Sequence, residues 1–472
     1  MHVLKVLFII LEVVVLFNLL IAVHELGHFL AARWRGLKVE RFAIWFGKPI
    51  WMTKINGVEY ALGSIPAGGY VSLPQMAPME AIEGKSEGAS TEPLPPISAL
   101  DKIIVAFAGP LFSMGLALAF AVVVWIVGRP VGETETTTTI GYVVPNGPAF
   151  KAGLQPGDKI LEVDNGPVTK FAGMGSSITW RIVRSEGTTI PIVVERNHER
   201  TNFMVTPEKE VTKAWERKGL RKIQIGPAQT VKVDGVVTNS PAAMAKLQSG
   251  DELLEMNGAK LYSPAAVEDY VENHGTNKID LKVLREGKTI DVALQPEIPL
   301  GSTTEKAHTG ILWDAGKIDI RHPEPVEQVT SSVDAMFSTF GALFSRKSDI
   351  KAQHLGGAVK IISIYYLLFQ SEQGWRLALW FSVLMNVNLA LLNMLPFPVL
   401  DGGHIALALI EAVRRRPVSV KILGYLQTSC AALLIGYMLY IAFYDVQDVL
   451  PMHGKDKEPI ELKFAPKPEP AK

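Results

Sequence analysis

Apolar residues along this chain collect into four long stretches, approximately 3–32, 103–127, 375–399 and 422–444. Each is long enough to cross a hydrocarbon layer of about 30 Å, which takes about 20 helical residues. The pattern predicts a multi-pass α-helical membrane protein with four spans. After the first stretch the period changes. Residues 41–72 alternate apolar and polar positions around Asn56-Gly57, a strong signal for a two-residue hairpin turn. Residues 74–97, rich in Pro, Glu, Ser and Gly, read as a mobile loop, and 323–371 as a linker with an amphipathic helix. The end of the chain, 447–472, reads as a disordered tail.

Polar runs between the spans give them a direction. Arg33, Arg35, Lys38, Arg41, Lys48 and Lys54 follow the first stretch, whereas only Lys5 precedes it. Arg414, Arg415, Arg416 and Lys421 separate the last two, and residues 445–454 hold no Lys or Arg. Positive charge accumulates on the cytoplasmic side, so both counts predict one topology, with the termini and the 128–371 segment outside. The first stretch is too long for a cleaved signal peptide, carries Glu12 and lacks a small-residue cleavage pattern.

The outer segment contains a repeat. Residues 143–162 match 236–255, with identities at Asn146/Asn239, Pro148/Pro241, Leu154/Leu247, Gly157/Gly250 and Asp158/Asp251. Alternating runs at 190–195 and 279–283 read as strands in both copies. Small residues, then Leu-x-x-Gly-Asp, then a buried strand resemble a PDZ domain. Two extracytoplasmic α+β PDZ-like domains are expected, over 134–210 and 222–298. Such modules add an extended peptide or chain terminus to a sheet edge.

Composition narrows the class. Lys+Arg and Asp+Glu balance at 47 each, which gives no support for nucleic-acid binding. A single Cys430 excludes a disulfide framework and a cysteine-rich zinc cluster. Mean hydropathy is +0.20 over 472 residues, in keeping with lipid-facing segments.

The chemistry sits inside the spans. His24-Glu25-Leu26-Gly27-His28 is an HExxH sequence whose i, i+4 spacing puts two imidazoles on one helix face, able to hold one Zn2+ ion. Glu25 is then the candidate general base for the hydrolytic water. Ionisable residues in an apolar span are costly unless they face a protein interior or a wet cavity. A catalytic zinc usually takes three protein ligands. The expected topology brings Asp401, at the far end of the third stretch, to the depth of His24 and His28. His404 competes for the same role but is read as a supporting residue, because Asp401 completes a two-histidine, one-carboxylate set. Pro396, Pro398, Gly402 and Gly403 are expected to break the helix there, as is tolerated only beside a cavity or within protein. Asn388 and Asn393 fit either hydrogen bonding to an unwound substrate backbone or helix-to-helix packing.

HELGH in the first span, Asn393 followed by Leu400-Asp401-Gly402-Gly403-His404, and the tandem PDZ-like repeat together resemble the site-2 protease family of intramembrane zinc metalloproteases, in its bacterial RseP-type group. The resemblance covers nearly the whole chain. It implies an enzyme of the bacterial inner membrane that cuts a transmembrane segment of a membrane-protein substrate already trimmed outside, such as an anti-sigma factor or a remnant signal peptide. It also implies that His24, His28 and Asp401 bind zinc, that Glu25 activates water, and that Asn388 and Asn393 handle substrate. Gly68-Gly69 with Phe42, Ile44, Trp45 and Phe46 resemble the family's membrane-associated β-element, here expected as a β-hairpin after span one. The implied division is 1–130 with spans one and two, 372–446 with spans three and four, and the PDZ-like pair between them. Two departures stand out: Trp45-Phe46-Gly47 where Gly-Phe-Gly is frequent, and Ser113 where Asn often follows Gly109-Pro110. Neither is expected to touch a proposed ligand. The rival reading is a membrane-anchored PDZ scaffold without catalysis, which leaves four intramembrane polar residues unexplained.

Overall fold

The computed structural model describes residues 2–76, 97–301, 306–416, 418–449 and 462–466. They form two compact units. One comprises Met1–Arg129, Arg321–Phe337 and Leu355–Val449, the other Pro130–Ile320, Ser338–His354 and Leu450–Lys472. Most of the expected mobile loop, 77–96, lies outside the described residues, as does most of the expected disordered tail.

The first unit contains α1 (His2–Trp34), four strands, α2 (Ala99–Val127), the start of α3 (Pro325–Phe344), α4 (Ala358–Gln370), α5 (Gly374–Asn393), α6 (Asp401–Arg414) and α7 (Val420–Val449). Among the described residues, four helices are long and apolar enough to cross a membrane: Leu4–Trp34, Ala99–Val127, Gly374–Asn393 and Lys421–Val449. The linker expectation over 323–371 resolves into two helices, α3 and α4. Ser98 starts α2 with a capping box, accepting from the Asp101 N–H while the Asp101 carboxylate accepts from the Ser98 N–H. Helix α2 buries Ala106, Ala108, Gly109, Ser113, Ala117 and Ala121, small residues that let α1, α5 and α6 pack closely against it. A Cβ on Gly27 of α1 would fall 2.4 Å from the Ala108 carbonyl oxygen, so glycine there sets the closeness of α1 and α2. Asp445 of α7 accepts from the Gly357 and Lys360 N–H groups at 2.9 and 3.1 Å, capping α4 from a neighbouring helix.

The third span ends sooner than its apolar pattern suggested, at Asn393 rather than 399. Pro396 and Pro398 lack the N–H groups a helix needs, and the chain turns before α6 begins at Asp401. The expectation that Gly402 and Gly403 break the helix is overturned, since both lie in the first turn of α6. A Cβ on Gly402 would fall 2.2 Å from the Met394 oxygen, and one on Gly403 2.0 Å from the Phe397 oxygen. These glycines let the new helix seat on the turn before it.

After α1 come β1 (Arg41–Phe46), β2 (Trp51–Ile55), β3 (Val58–Leu62) and β4 (Ile65–Ser72), in the order β2-β3-β1-β4. Asn56 and Gly57 turn between β2 and β3 with φ of 50° and 84°, as the hairpin signal requires. The hairpin is nevertheless only half of a four-stranded sheet, because β1 pairs parallel with β3 and antiparallel with β4. A parallel partner across a crossover leaves no turn signature, so alternation revealed the hairpin alone. β4 is an edge strand.

In the second unit each repeat builds a four-stranded antiparallel sheet. Spatial order in the first is Glu199–Val205, Ile190–Arg196, Lys159–Val163, Gly166–Pro167, and in the second Ala259–Lys260, Glu252–Met256, Ile279–Arg285, Lys288–Leu294. Each has a two-stranded companion, Ile140–Val143 with Ile225–Pro227 and Val233–Val236 with Ile311–Trp313. The repeated residues have physical reasons. Asn146 and Asn239 adopt φ of 59° and 60°, and Gly157 and Gly250 both 94°. Asp158 and Asp251 each accept from the N–H three residues before and take a two-pronged bond from Arg196 or Arg285, with Nε–O distances of 2.6 and 2.7 Å. The apolar alternation closes two separate cores, one around Ile140, Ile160 and Ile192, the other around Val233, Leu253 and Leu281.

Candidate metal centre

One helical turn of α1 brings His24 and His28 to the same side, with their Nε2 atoms 3.4 Å apart. Asp401, the first residue of α6, meets them at 3.2 Å from His24 Nε2 to Oδ2 and 3.3 Å from His28 Nε2 to Oδ1. One ligand atom from each lies within 4.8 Å of the others. Lys102 of α2 holds α6 in place through a 2.7 Å ion pair with Glu411.

The opposite ring nitrogens decide the protonation pattern. His28 Nδ1 lies 2.8 Å from the Val105 carbonyl oxygen, which can only accept, so Nδ1 carries a proton and the neutral ring presents its lone pair at Nε2. His24 Nδ1 lies 2.9 Å from Ser113 Oγ, whose hydroxyl suits the same tautomer. Electron pairs from two imidazoles and a carboxylate thus converge, and the buried Asp401 Oδ2 finds no hydrogen-bond donor among the described residues. Such a set repels itself unless a cation lies between its members, and two histidines with one carboxylate suit zinc. Glycine makes room for it. A Cβ on Gly109 of α2 would lie 2.2 Å from His28 Nε2 and 2.9 Å from His24 Nε2.

A cavity of about 530 Å³ opens on this cluster, lined by His24, Glu25, His28, Asp401, Asn393 and His404. β4 supplies part of its wall through Gly68, Gly69, Tyr70 and Val71. A Cβ on Gly69 would come within 3.1 Å of Glu25 Cγ, so the edge strand and the glutamate are close neighbours. Trp45, at an irregularity in the β1–β4 pairing with φ of 71°, donates from its indole to Asn18 of α1 and ties sheet to helix.

Among the sequence candidates, His24, Glu25, His28, Asp401, Asn393 and His404 surround one cavity. Asn388 is absent from its lining, and its Oδ1 is buried without a hydrogen-bond partner among the described residues. The expectation that Ser113 touches no proposed ligand is overturned by its contact with His24. Sequence reasoning also missed the Val105 carbonyl and Gly109. The one available signal was position: Gly109 and Ser113 stand four apart, on one face of α2.

A model of peptidase family M50 matches residues 12–437. The chain is 28% identical over 451 residues to the Regulator of sigma E protease of Haemophilus influenzae, covering 90% of this chain and 96% of the relative. It is 28% identical over 462 residues to the Regulator of sigma-E protease RseP of Escherichia coli, covering 92% and 97%. A protein of Neisseria meningitidis serogroup A whose name assigns it as a zinc metalloprotease is 29% identical over 452 residues, covering 92% and 97%. Among solved structures, the PDZ domain of an SdrC-like protein from Listeria monocytogenes matches 19% of this chain and 90% of its own, at 20% identity and a TM-score of 0.17. At that score the likeness carries no weight here.

Proposed function

Because the chain belongs to peptidase family M50, the site-2 proteases, and is thereby a zinc metalloprotease, we propose that it hydrolyses a peptide bond within or near a transmembrane segment of a membrane protein. In this reading His24, His28 and Asp401 hold one zinc ion and Glu25 is the general base. The observation that carries it is the meeting of two histidine Nε2 atoms and the Asp401 carboxylate at 3.2–3.4 Å, with Glu25 lining the same cavity. Zinc, when bound, supplies a Lewis acid that polarises the scissile carbonyl and lowers the pKa of water toward about 7.

The chain's own residues do the rest. Glu25 takes a proton from the attacking water and returns it to the leaving amine. Amides within a helix are hydrogen-bonded to one another, so the substrate must unwind before attack. The β4 edge offers main-chain partners to an extended segment, and Gly69 lets this strand lie close beside Glu25. Asn393 lines the cavity and suits a hydrogen bond to the unwound backbone, whereas Asn388 suits helix packing near it.

The protein is read as a multi-pass protein of the bacterial inner membrane, with both termini and the PDZ-like pair outside. We assign residues 134–210 and 222–298 to those two modules, which select or exclude substrates by their external ends. Anti-sigma factors and remnant signal peptides are the substrate classes that fit.

Zinc content and cleavage of a model membrane segment by the purified protein test this together. Glu25→Gln is expected to keep its zinc and lose cleavage by about 100-fold or more, while Asp401→Ala loses zinc. Full cleavage by Glu25→Gln overturns the assignment of the base.

A further inference from the structure

Near the end of the chain, residues 462–466 lie against the second repeat. Phe464 is only 5% exposed, whereas its neighbours Lys463 and Ala465 are exposed and Leu462 is half-buried. That alternation is what an extended peptide shows when one of its faces is seated. The seat is built from the loop that closes the second module. Glu297 and His308 exchange backbone hydrogen bonds of 3.1 and 2.8 Å across the base of that loop. Leu300, just beyond them, donates its N–H to the Lys463 carbonyl at 2.7 Å. The Phe464 ring reaches Gly310, which has φ of 73°, where a Cβ would sit 3.3 Å from Phe464 Cε2. Gly310 directly precedes the strand Ile311–Trp313, which pairs on one side with Val233–Val236 and has no ladder on its other side among the described residues. A main-chain hydrogen bond plus one buried side chain, at the start of an open strand edge, is how a sheet-adding module holds a peptide.

We propose that residues 462–466 are an intramolecular ligand of the second PDZ-like module, anchored by Phe464, and that an external peptide must displace them to use this surface. The proposal rests on reading the repeats as peptide-holding modules, and its test reads binding rather than cleavage, so the two stand or fall separately.

The measurement is fluorescence anisotropy of a labelled peptide spanning residues 458–470. It is titrated with the full detergent-solubilised chain and with a chain ending at Val449. The shortened chain is expected to bind saturably and the full chain about tenfold more weakly or less. A Phe464→Ala peptide loses binding by about tenfold or more. Equal binding by both chains, or none by the shortened one, overturns the proposal. Should the shortened chain fail to fold, amide exchange in full-length Phe464→Ala decides. Loss of protection at Leu300, with Ile279–Arg285 unchanged, supports the docking, and unchanged protection at Leu300 overturns it.

Discussion

Ser113 shows how much of the candidate metal centre depends on residues outside the His24, His28 and Asp401 cluster. Its hydroxyl lies 2.9 Å from His24 Nδ1 in a fully buried position, while the Val105 carbonyl plays the matching part for His28. Groups that orient a ligand's second nitrogen typically contribute 10- to 100-fold in metal affinity. Ser113→Ala is therefore expected to weaken zinc retention by about that factor in a chelator competition, and Ser113→Asn to restore much of it. Unchanged retention in the alanine variant would remove Ser113 from the site. The pairing of His24 with His28 was legible in the sequence because a four-residue spacing fixes two side chains on one face whatever surrounds the helix, and the approach of Asp401 followed from the expected depth of the third span. Ser113 was not, since its contact with His24 depends on how α2 is rotated against α1, and no local spacing encodes that. Asn388 and Asn393 divide on the same ground. They share a helix, but Asn393 stands one turn after Leu389 on the face that lines the cavity, and Asn388 is one position off that face.

Among the elements, the repeated Gly-Asp turn is the most economical device. Asp251 is almost wholly buried, with a side chain 1% exposed. Burial alone would raise its carboxyl, but hydrogen bonds from Arg285 and the Gln248 N–H, together with the Arg285 charge, outweigh that and hold it below the usual aspartate value. A carboxyl depressed in the folded state stabilises it above the unfolded pKa, about 3.9, and the contribution is lost as pH falls through the folded value. Amide protection along Ile279–Arg285 is thus expected to drop below about pH 4 in the parent chain. Asp251→Asn is expected to lower it by about 1–3 kcal/mol at neutral pH and to flatten the acid loss. An acid profile identical in both proteins would remove this pair as its cause. Gly157, Gly250 and the two aspartates were legible as a repeat because each turn needs a left-handed backbone and a capped N–H. The parallel pairing of β1 with β3 was not, because it is non-local, whereas the break between α5 and α6 was legible from Pro396 and Pro398, though not that Gly402 and Gly403 fall inside the new helix.

For the whole molecule, the candidate metal centre joins residues far apart in the chain, His24 on α1 and Asp401 on α6, so zinc bound there would act as a cross-link within the first unit. At about one hundred times its dissociation constant, a ligand bound only by the folded state adds about 2.7 kcal/mol. The Tm of the parent protein is expected to rise with zinc, and that of Asp401→Ala to stay flat. A rise in both would mean that zinc stabilises from elsewhere. The docked tail extends the same reasoning to peptide traffic. A ligand tied to its own receptor is present at an effective concentration of order millimolar, whatever the amount of protein. With an intrinsic Kd of about 100 µM, that tether would weaken an incoming peptide's apparent affinity by about tenfold. The second module would then act as a threshold: weak or scarce chain ends are refused, and a strong or abundant one takes the place of Phe464.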